Sequence, residues 1–273
     1  MRMVDEAKTR QWDGRLAWVI AAVALQCLTA GFAEAKTVGI WMDRKSGNIT
    51  GATNSLAKAG WQVVLLSKMN ELEDPATYTS LDVLYLPGGW GMYFFPKEKA
   101  RRQIVRFAAS GKGVLVGGFR SGYVRTANRP MFPEIGMTHN RVNGPWISAT
   151  GDAPFAKAFG GKTLSFGGHD HFVLKGGEWG KPFAMSAEDP CGFYGDYRSG
   201  RVIAFGGGFT YSLDDITHDD MERIFLAMAE WLAAAPKPSA AQASKDADED
   251  GRAQRGRSET ERGITSVRQQ EGR

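Results

Sequence analysis

The stretch Gly113-Val114-Leu115-Val116-Gly117-Gly118-Phe119-Arg120-Ser121-Gly122-Tyr123 contains the pattern that decides the fold. Its first half is apolar and partly β-branched, which predicts a buried parallel strand. The strand runs into a turn with glycines on both sides of Arg120, which predicts a sharp break that raises this side chain above the carboxyl end of the sheet. Enzymes that use such a turn place Ser or Cys at its centre. Here the turn is present and the nucleophile is replaced by Arg120.

The beginning of the 273-residue chain has the composition of an export signal. A polar segment is followed by an almost wholly apolar run from Leu16 to Ala30, and Ala33-Glu34-Ala35 supplies the small-x-small pattern of a signal peptidase site. Residues 1–35 are therefore predicted to be a signal peptide, and the protein to be periplasmic or secreted. An uncleaved membrane anchor is the alternative, because the apolar run approaches the ~18 residues that a span requires.

The end of the chain is predicted to be disordered. From Pro236 to Arg273 almost every residue is small, polar or charged, and such a segment buries too little apolar surface to order itself. One domain is thus expected between residues 36 and 235. The formal net charge of +4 is not concentrated in any part of it, so no nucleic-acid partner is predicted.

Cys191 is the only cysteine left once the predicted signal peptide is removed. The domain therefore has no internal disulfide and depends on its core for stability. Without an activating neighbour, the Cys191 thiol is predicted to be buried and inert rather than reactive.

The first half of the domain reads as alternating strands and helices, which predicts a doubly wound sheet. Thr37 to Met42 forms a strand that places Asp43 at its carboxyl end, and Thr50 is predicted to cap a helix that stops at Gly60. The other predicted elements are strands at Trp61 to Leu66 and Leu81 to Leu86, and a helix from Pro96 to Gly111 with Ala100, Ile104, Phe107 and Ala108 on its buried face.

The strand ending at Leu86 is followed by Pro87-Gly88-Gly89-Trp90-Gly91. Glycines directly after a strand allow backbone N–H groups to face the sheet edge, where they hold anions and oxyanions. A simple tight turn is the alternative interpretation of this glycine pair.

Two segments together, Tyr85 to Gly91 and Gly111 to Gly118 with the turn that follows, resemble the class I glutamine amidotransferase-like superfamily. Within it, the chain is most similar to the branch of the biotin–protein ligase N-terminal domain, with ThuA-like proteins as a neighbouring branch. The resemblance covers roughly Val38 to Leu232. It implies a flavodoxin-like three-layer α/β/α sandwich with a mostly parallel sheet and a pocket at the carboxyl ends of the strands.

The catalytic triad that the resemblance implies is absent from the matched positions. Active members carry Cys in the turn, where this chain has Arg120, and a His-Pro-Glu type sequence after a late strand. Here the late strand, Arg201 to Phe205, runs into Gly206-Gly207-Gly208. An arginine stays protonated and cannot act as a nucleophile. Amidotransferase chemistry is therefore excluded as the expected activity.

The segment between the turn and the late strand contains Gly167-Gly168-His169-Asp170-His171, a cluster of metal-type ligands. On a strand, His169 and His171 point to the same face, which permits shared coordination of Zn²⁺. Two ligands do not make a site, so no metal or other cofactor is predicted. A pocket-lining role for His169 is favoured.

Several aromatic residues of this segment are predicted to pack in the core or its cover: Phe132, Trp146, Phe155, Phe159 and Phe166. Glu188 to Arg198 is predicted to form a hairpin with its tip at Arg198-Ser199-Gly200. The alternative is that Asp189 and Tyr194 face the pocket and bind hydroxyl-rich ligands. The last helix is capped by Thr217 and buries Met221, Ile224, Phe225, Met228, Trp231 and Leu232.

Two hypotheses follow for function. The first is a binding protein without catalysis, which holds a small anionic or polar ligand with Asp43, Gly88, Gly89, Trp90, Arg120, Ser121 and His169. The second is a hydrolase that acts on a saccharide or amide through Ser121, or through a metal at His169 and His171. Partners are expected to be small molecules, and the membrane only if the signal segment is retained.

Overall fold

The computed structural model of the protein describes residues 35–42, 49–87, 97–117, 132, 139–142, 146–165, 171–174, 180–206 and 219–235. Its strands are β1 Thr37–Trp41, β2 Gln62–Leu66, β3 Val83–Leu86, β4 Gly113–Gly117, β5 His139–Val142, β6 Trp146–Ala149, β7 Thr163–Ser165, β8 His171–Leu174, β9 Lys181–Ser186, β10 Asp189–Tyr197 and β11 Gly200–Phe205. Its helices are α1 Thr50–Lys58, α2 Met69–Glu73, α3 Glu98–Ala109, α4 Pro154–Lys157 and α5 Asp219–Ala233, with a 3₁₀ turn at Pro75–Tyr78.

The main sheet of the described residues has nine strands in the order β2-β1-β3-β4-β11-β10-β9-β6-β7. The first five run parallel to one another, and each of the remaining four pairs antiparallel with its neighbour. The sheet is therefore mixed, and the expectation of a mostly parallel sheet is wrong. The physical reason is that β9, β10 and β11 are joined by two-residue turns, which connect only antiparallel strands.

Helices cover both faces of the parallel half of the sheet. Residues of α1, α4 and α5 share one core cluster with Val38 and Ile40, whereas residues of α2 and α3 share a second cluster with Trp41 and Leu86. Parallel strands require this cover because βαβ crossovers lie on the sheet faces. The α/β architecture predicted from the sequence is confirmed in this half.

The helix ends differ from expectation at one point. Thr50 is the first residue of α1 instead of its cap, and Ile49 in the cap position offers no side-chain hydrogen bond. The predicted ends of α1 and α3 are confirmed, because Gly60 and Gly111 have φ angles of +85° and +94°. These left-handed conformations favour glycine and terminate helices.

The predicted strand of the opening stretch is confirmed as β4, which is buried along its whole length. Its first residue, Gly113, lies directly under α5. A Cβ atom at this position would lie 2.6 Å from Leu232 Cβ and 2.8 Å from Leu232 O. Because Gly113 has no side chain, α5 can pack this closely against the sheet.

The predicted aromatic core is confirmed for Phe132, Phe155 and Phe159, which are all buried, and is wrong for Trp146, which is 58% exposed. Phe166 and Thr217 lie outside the described residues.

The hairpin tip at Arg198 and Ser199 is confirmed. The stripe of α5 is confirmed at five positions, and the sixth, Trp231, is half-buried.

All the strands and helices above belong to one compact unit that begins at Lys36. In the described ranges, no helix is both long and apolar enough to cross a membrane. The predicted limits of the signal peptide, the domain and the tail remain predictions.

Candidate functional site

Four parallel strands end at one level of the sheet. Leu86 of β3 lies opposite Val116 of β4, and Gly117 of β4 lies opposite Phe205 of β11. On the other side, Ile40 of β1 lies opposite Tyr85 of β3. Neighbouring strands are about 4.8 Å apart, so the chain leaves the sheet at four adjacent points along one edge. We call this the carboxyl edge.

The order β2-β1-β3-β4-β11 reverses direction between β1 and β3. Helix α1, which follows β1, packs on one face of the sheet, and α3, which follows β3, packs on the other. The helices that follow β1 and β3 therefore lie on opposite faces of the sheet, which is the topology of a switch point. Open α/β sheets bind ligands at this kind of switch point, outside the carboxyl ends of the strands.

The antiparallel half of the sheet contributes its own residues to the same edge. Gly192 of β10 lies opposite Phe205, so the turn between β9 and β10 reaches the carboxyl edge. This turn carries Glu188 and Asp189, whose side chains are exposed. Sequence reasoning treated this segment as a hairpin and did not place its turn at the edge, because the position depends on the pairing of β10 with β11.

Asp189 and Tyr194 do not come together at the edge. Tyr194 lies further down β10, where its ring contacts Phe155 at 5.1 Å and Trp231 at 5.6 Å between centroids. Phe155 and Trp231 themselves pack edge to face at 5.6 Å. The interpretation of Tyr194 as part of a pocket for hydroxyl-rich ligands is therefore wrong, because the ring belongs to an aromatic cluster.

Cys191 lies at the carboxyl edge and is buried. Burial strongly raises the pKa of its thiol, because a thiolate is poorly solvated in apolar surroundings. The thiolate is the nucleophilic form of cysteine. Cys191 therefore does not replace the cysteine that is missing from the turn after β4, and the prediction that it is buried is confirmed.

The residues predicted to bind a ligand lie outside the described residues: Asp43, Gly88, Gly89, Trp90, Arg120, Ser121 and His169. The strands that lead into them are described. Asp43 directly follows Met42, Gly88 directly follows Pro87, and Arg120 is three positions after Gly117. All of these residues except His169 thus follow one of three adjacent strands, β1, β3 and β4.

Among the described residues, β5 and β8 form a separate two-stranded antiparallel sheet. Trp146 of β6 lies opposite Ser165 of β7, and Val142 of β5 lies opposite His171 of β8. The connection from β7 to β8 contains His169. Among the described residues, no group of three or more metal-type side chains could hold an ion.

No protein-family model and no curated protein matches this sequence. Solved structures do match its fold. A ThuA-like protein from Bacteroides uniformis superposes with a TM-score of 0.57 at 10% identity, over 76% of this chain and 96% of that one. A glutamine amidotransferase from Thermotoga maritima gives 0.51 at 12% identity, over 74% and 99%. A glutamine amidotransferase from Methylobacillus flagellatus gives 0.53 at 11% identity, over 73% and 96%.

These similarities concern the fold alone. The chain shares the flavodoxin-like α/β architecture of ThuA-like proteins and class I glutamine amidotransferases. The fold that the sequence resemblance implied is therefore supported.

Proposed function

We propose that this protein is a non-catalytic, glutamine amidotransferase-like binding protein that holds a small anionic or polar ligand at the carboxyl edge. It belongs, in this proposal, to the branch of the biotin–protein ligase N-terminal domain, and it acts after export to the periplasm or outside the cell. The observation that carries the proposal is the common level at which β1, β3 and β4 end, next to the switch point.

The chemistry of the residues after these strands suits an anion. Consecutive Cα atoms are about 3.8 Å apart, so Arg120 lies within about 11 Å of Gly117 along the chain. A guanidinium offers a permanent positive charge and several donors in one plane. The glycines after β3 allow backbone N–H groups to complete such a site.

The loss of the superfamily's triad residues from the matched sequence positions supports binding over catalysis. The turn position of the superfamily cysteine is Arg120, and three glycines follow β11 where the other triad members are expected. The Cys191 thiol at the carboxyl edge is buried, and burial strongly raises its pKa. Acyl transfer requires an activated nucleophile beside a base.

The proposal is tested by thermal unfolding of the purified chain with phosphate, sulfate, small carboxylates and sugars. A ligand at a hundred times its Kd stabilises the folded state by about 2.7 kcal/mol. For a domain of this size each 1 kcal/mol raises Tm by about 2–4 °C, so the corresponding rise is about 5–11 °C. We expect an anion to stabilise the wild type and the effect to be lost in Arg120→Ala.

Lys181→Ala is the matched control, because it removes an exposed positive charge at the start of β9. This position lies towards the end of the sheet where the parallel strands begin, away from the carboxyl edge. It should keep the full response. An anion response that survives Arg120→Ala overturns the proposal. Stabilisation by Zn²⁺ alone, unchanged in Arg120→Ala, would favour the hydrolase instead and direct attention to His169 and His171.

A further inference from the structure

Strand β2 is the outermost strand on one side of the main sheet and exposes apolar side chains. It pairs in parallel with β1, and no other described strand pairs with it. Val64 is 37% exposed and Leu65 is 45% exposed. Soluble proteins normally protect an edge strand with a charged residue, a proline or a covering helix or loop. Without this protection, the backbone N–H and C=O groups on the outer side of the strand can pair with a strand of another chain. The five residues of β2 contain neither charge nor proline.

The exposed residues of β2 lie on both faces of the sheet. Successive side chains of a strand point in opposite directions, so Val64 and Leu65 project to different sides. Leu66 is buried in the core cluster of α2 and α3, on the side of Val64, and Val63 packs against the cluster of α1 and α5, on the side of Leu65. A partner that covers both exposed side chains must therefore extend the sheet as a further strand.

We propose that this further strand is β2 of a second copy of the protein, paired antiparallel about a two-fold axis at Val64. In this register Val64 lies opposite Val64 of the second copy, and Val63 lies opposite Leu65 of the second copy. Cross-strand pairs of aliphatic and β-branched side chains stabilise antiparallel ladders. A two-fold arrangement is also closed, so it gives dimers and not fibres.

The charges at the two ends of β2 favour the antiparallel orientation. Lys58 precedes the strand, with 80% of its side chain exposed, and lies 3.8 Å from Glu222. The strand is followed by Lys68 and then by three acidic residues, Glu71, Glu73 and Asp74, of which Glu73 pairs with Lys99 at 3.6 Å. Antiparallel pairing places the net acidic end of one copy beside the Lys58 end of the other. Parallel pairing of two copies would instead bring the two net acidic ends together.

The first test is the mass of the full chain in solution by sedimentation analysis, over a range of protein concentrations. We expect a concentration-dependent dimer for the wild type and a monomer for Val64→Lys, since the change places two ammonium groups opposite each other at the axis. Trp146→Lys is the matched control, because it replaces another exposed apolar side chain on β6, and it should leave the dimer intact. A wild type that is monomeric throughout, or an oligomer that Val64→Lys does not change, overturns the proposal.

The second test identifies the axis and does not depend on the folding of the lysine variant. Directly opposed residues of antiparallel strands have Cα atoms about 4.5–5.5 Å apart, within the range that a disulfide bridges. In a Cys27→Ser background, Val64→Cys should therefore form a covalent dimer under mild oxidation. Gln62→Cys should not, because its equivalent in the second copy is offset by four residues, or about 13 Å. Equal cross-linking of both variants, or of neither, contradicts the register.

Discussion

The backbone N–H of Gly206 donates a 2.6 Å hydrogen bond to the carbonyl oxygen of Cys191. This bond fastens the end of β11, a parallel strand, to the beginning of β10, which is antiparallel. It therefore fixes the β9–β10 turn, with Glu188 and Asp189, at the same edge as the ends of β3 and β4. The thiol of Cys191 is enclosed by the core at this junction.

The first prediction concerns the reactivity of that thiol. In a Cys27→Ser chain, a thiol reagent such as Ellman's reagent should not modify Cys191 at pH 8 while the protein is folded. Both burial and the raised pKa oppose formation of an accessible thiolate. After addition of denaturant, one thiol per chain should react. Rapid reaction of the folded protein would show that Cys191 is accessible and would make it a candidate nucleophile, contrary to the proposed function.

The second prediction concerns Gly113. Replacement by alanine should lower the free energy of unfolding by about 2–3 kcal/mol, because the new Cβ overlaps Leu232 and pushes α5 from the sheet. Urea denaturation measures this change. Gly60→Ala is the comparison: no atom lies within 4 Å of its added Cβ, but its φ is +85°. The cost there should be about 1 kcal/mol, from backbone strain alone. Equal costs would contradict the close packing of α5 on β4.

The third prediction concerns pH. Hydrogen bonds from Arg101 and, to a lesser extent, from Arg102 lower the pKa of Glu98 from 4.5 to about 2. A carboxyl whose pKa is lowered by folding stabilises the native state above its unfolded pKa, and this contribution is lost as the pH falls through its folded pKa. Because Glu98 is about one-third exposed, solvent screening limits the effect to about 1 kcal/mol at neutral pH.

Glu98→Gln should therefore be less stable than the wild type at pH 7, and the difference should decline between about pH 4.5 and about pH 2. Thermal unfolding across this range measures it. Glu188→Gln removes a carboxylate from an exposed turn and serves as the control. A difference for Glu98→Gln that stays constant down to pH 2 would contradict the assigned pKa.

The fourth prediction separates two aromatic residues that the sequence does not distinguish. Phe155→Ala should cost about 3–5 kcal/mol, because this buried ring packs against Phe183, Tyr194 and Trp231. Trp146→Ala should change the free energy of unfolding by no more than about 0.5 kcal/mol, since the side chain is 58% exposed. Chemical denaturation of both variants checks the pair. A large loss for Trp146→Ala would indicate that the indole is part of the core.

The parallel half of the fold can be predicted from the sequence because each pattern that indicates a strand or helix there involves only neighbouring residues. The apolar run at Gly113 to Gly117, the glycines that end α1 and α3, and the stripe of α5 each need only a few neighbouring residues to interpret. The two strand ends at Met42 and Pro87 follow from the same local patterns. The carboxyl edge, and the residues that follow it, could therefore be identified before the structure.

The antiparallel half is less readable because its geometry depends on pairing between distant segments. Short strands such as β6 and β7 have no distinctive period, and nothing local shows that Trp146 begins a strand near the margin of the sheet. The position of Asp189 at the carboxyl edge likewise depends on the register of β10 with β11. The cap of α1 was missed for another reason: a threonine favours the cap position, yet here the helix starts one residue earlier than that preference predicts.

The position of β11 has a consequence for the order in which the chain folds. This strand is the last of the described strands in sequence order, yet it lies at the centre of the sheet, between β4 and β10. Before Gly200 to Phe205 has paired, the main sheet is divided into two parts. The strands that face the gap, β4 and β10, are then unpaired on that side. Contacts between residues so distant in sequence form slowly, because a long loop must close first. We therefore expect cooperative folding to await the C-terminal strand and helix, and a chain truncated before Gly200 to remain aggregation-prone.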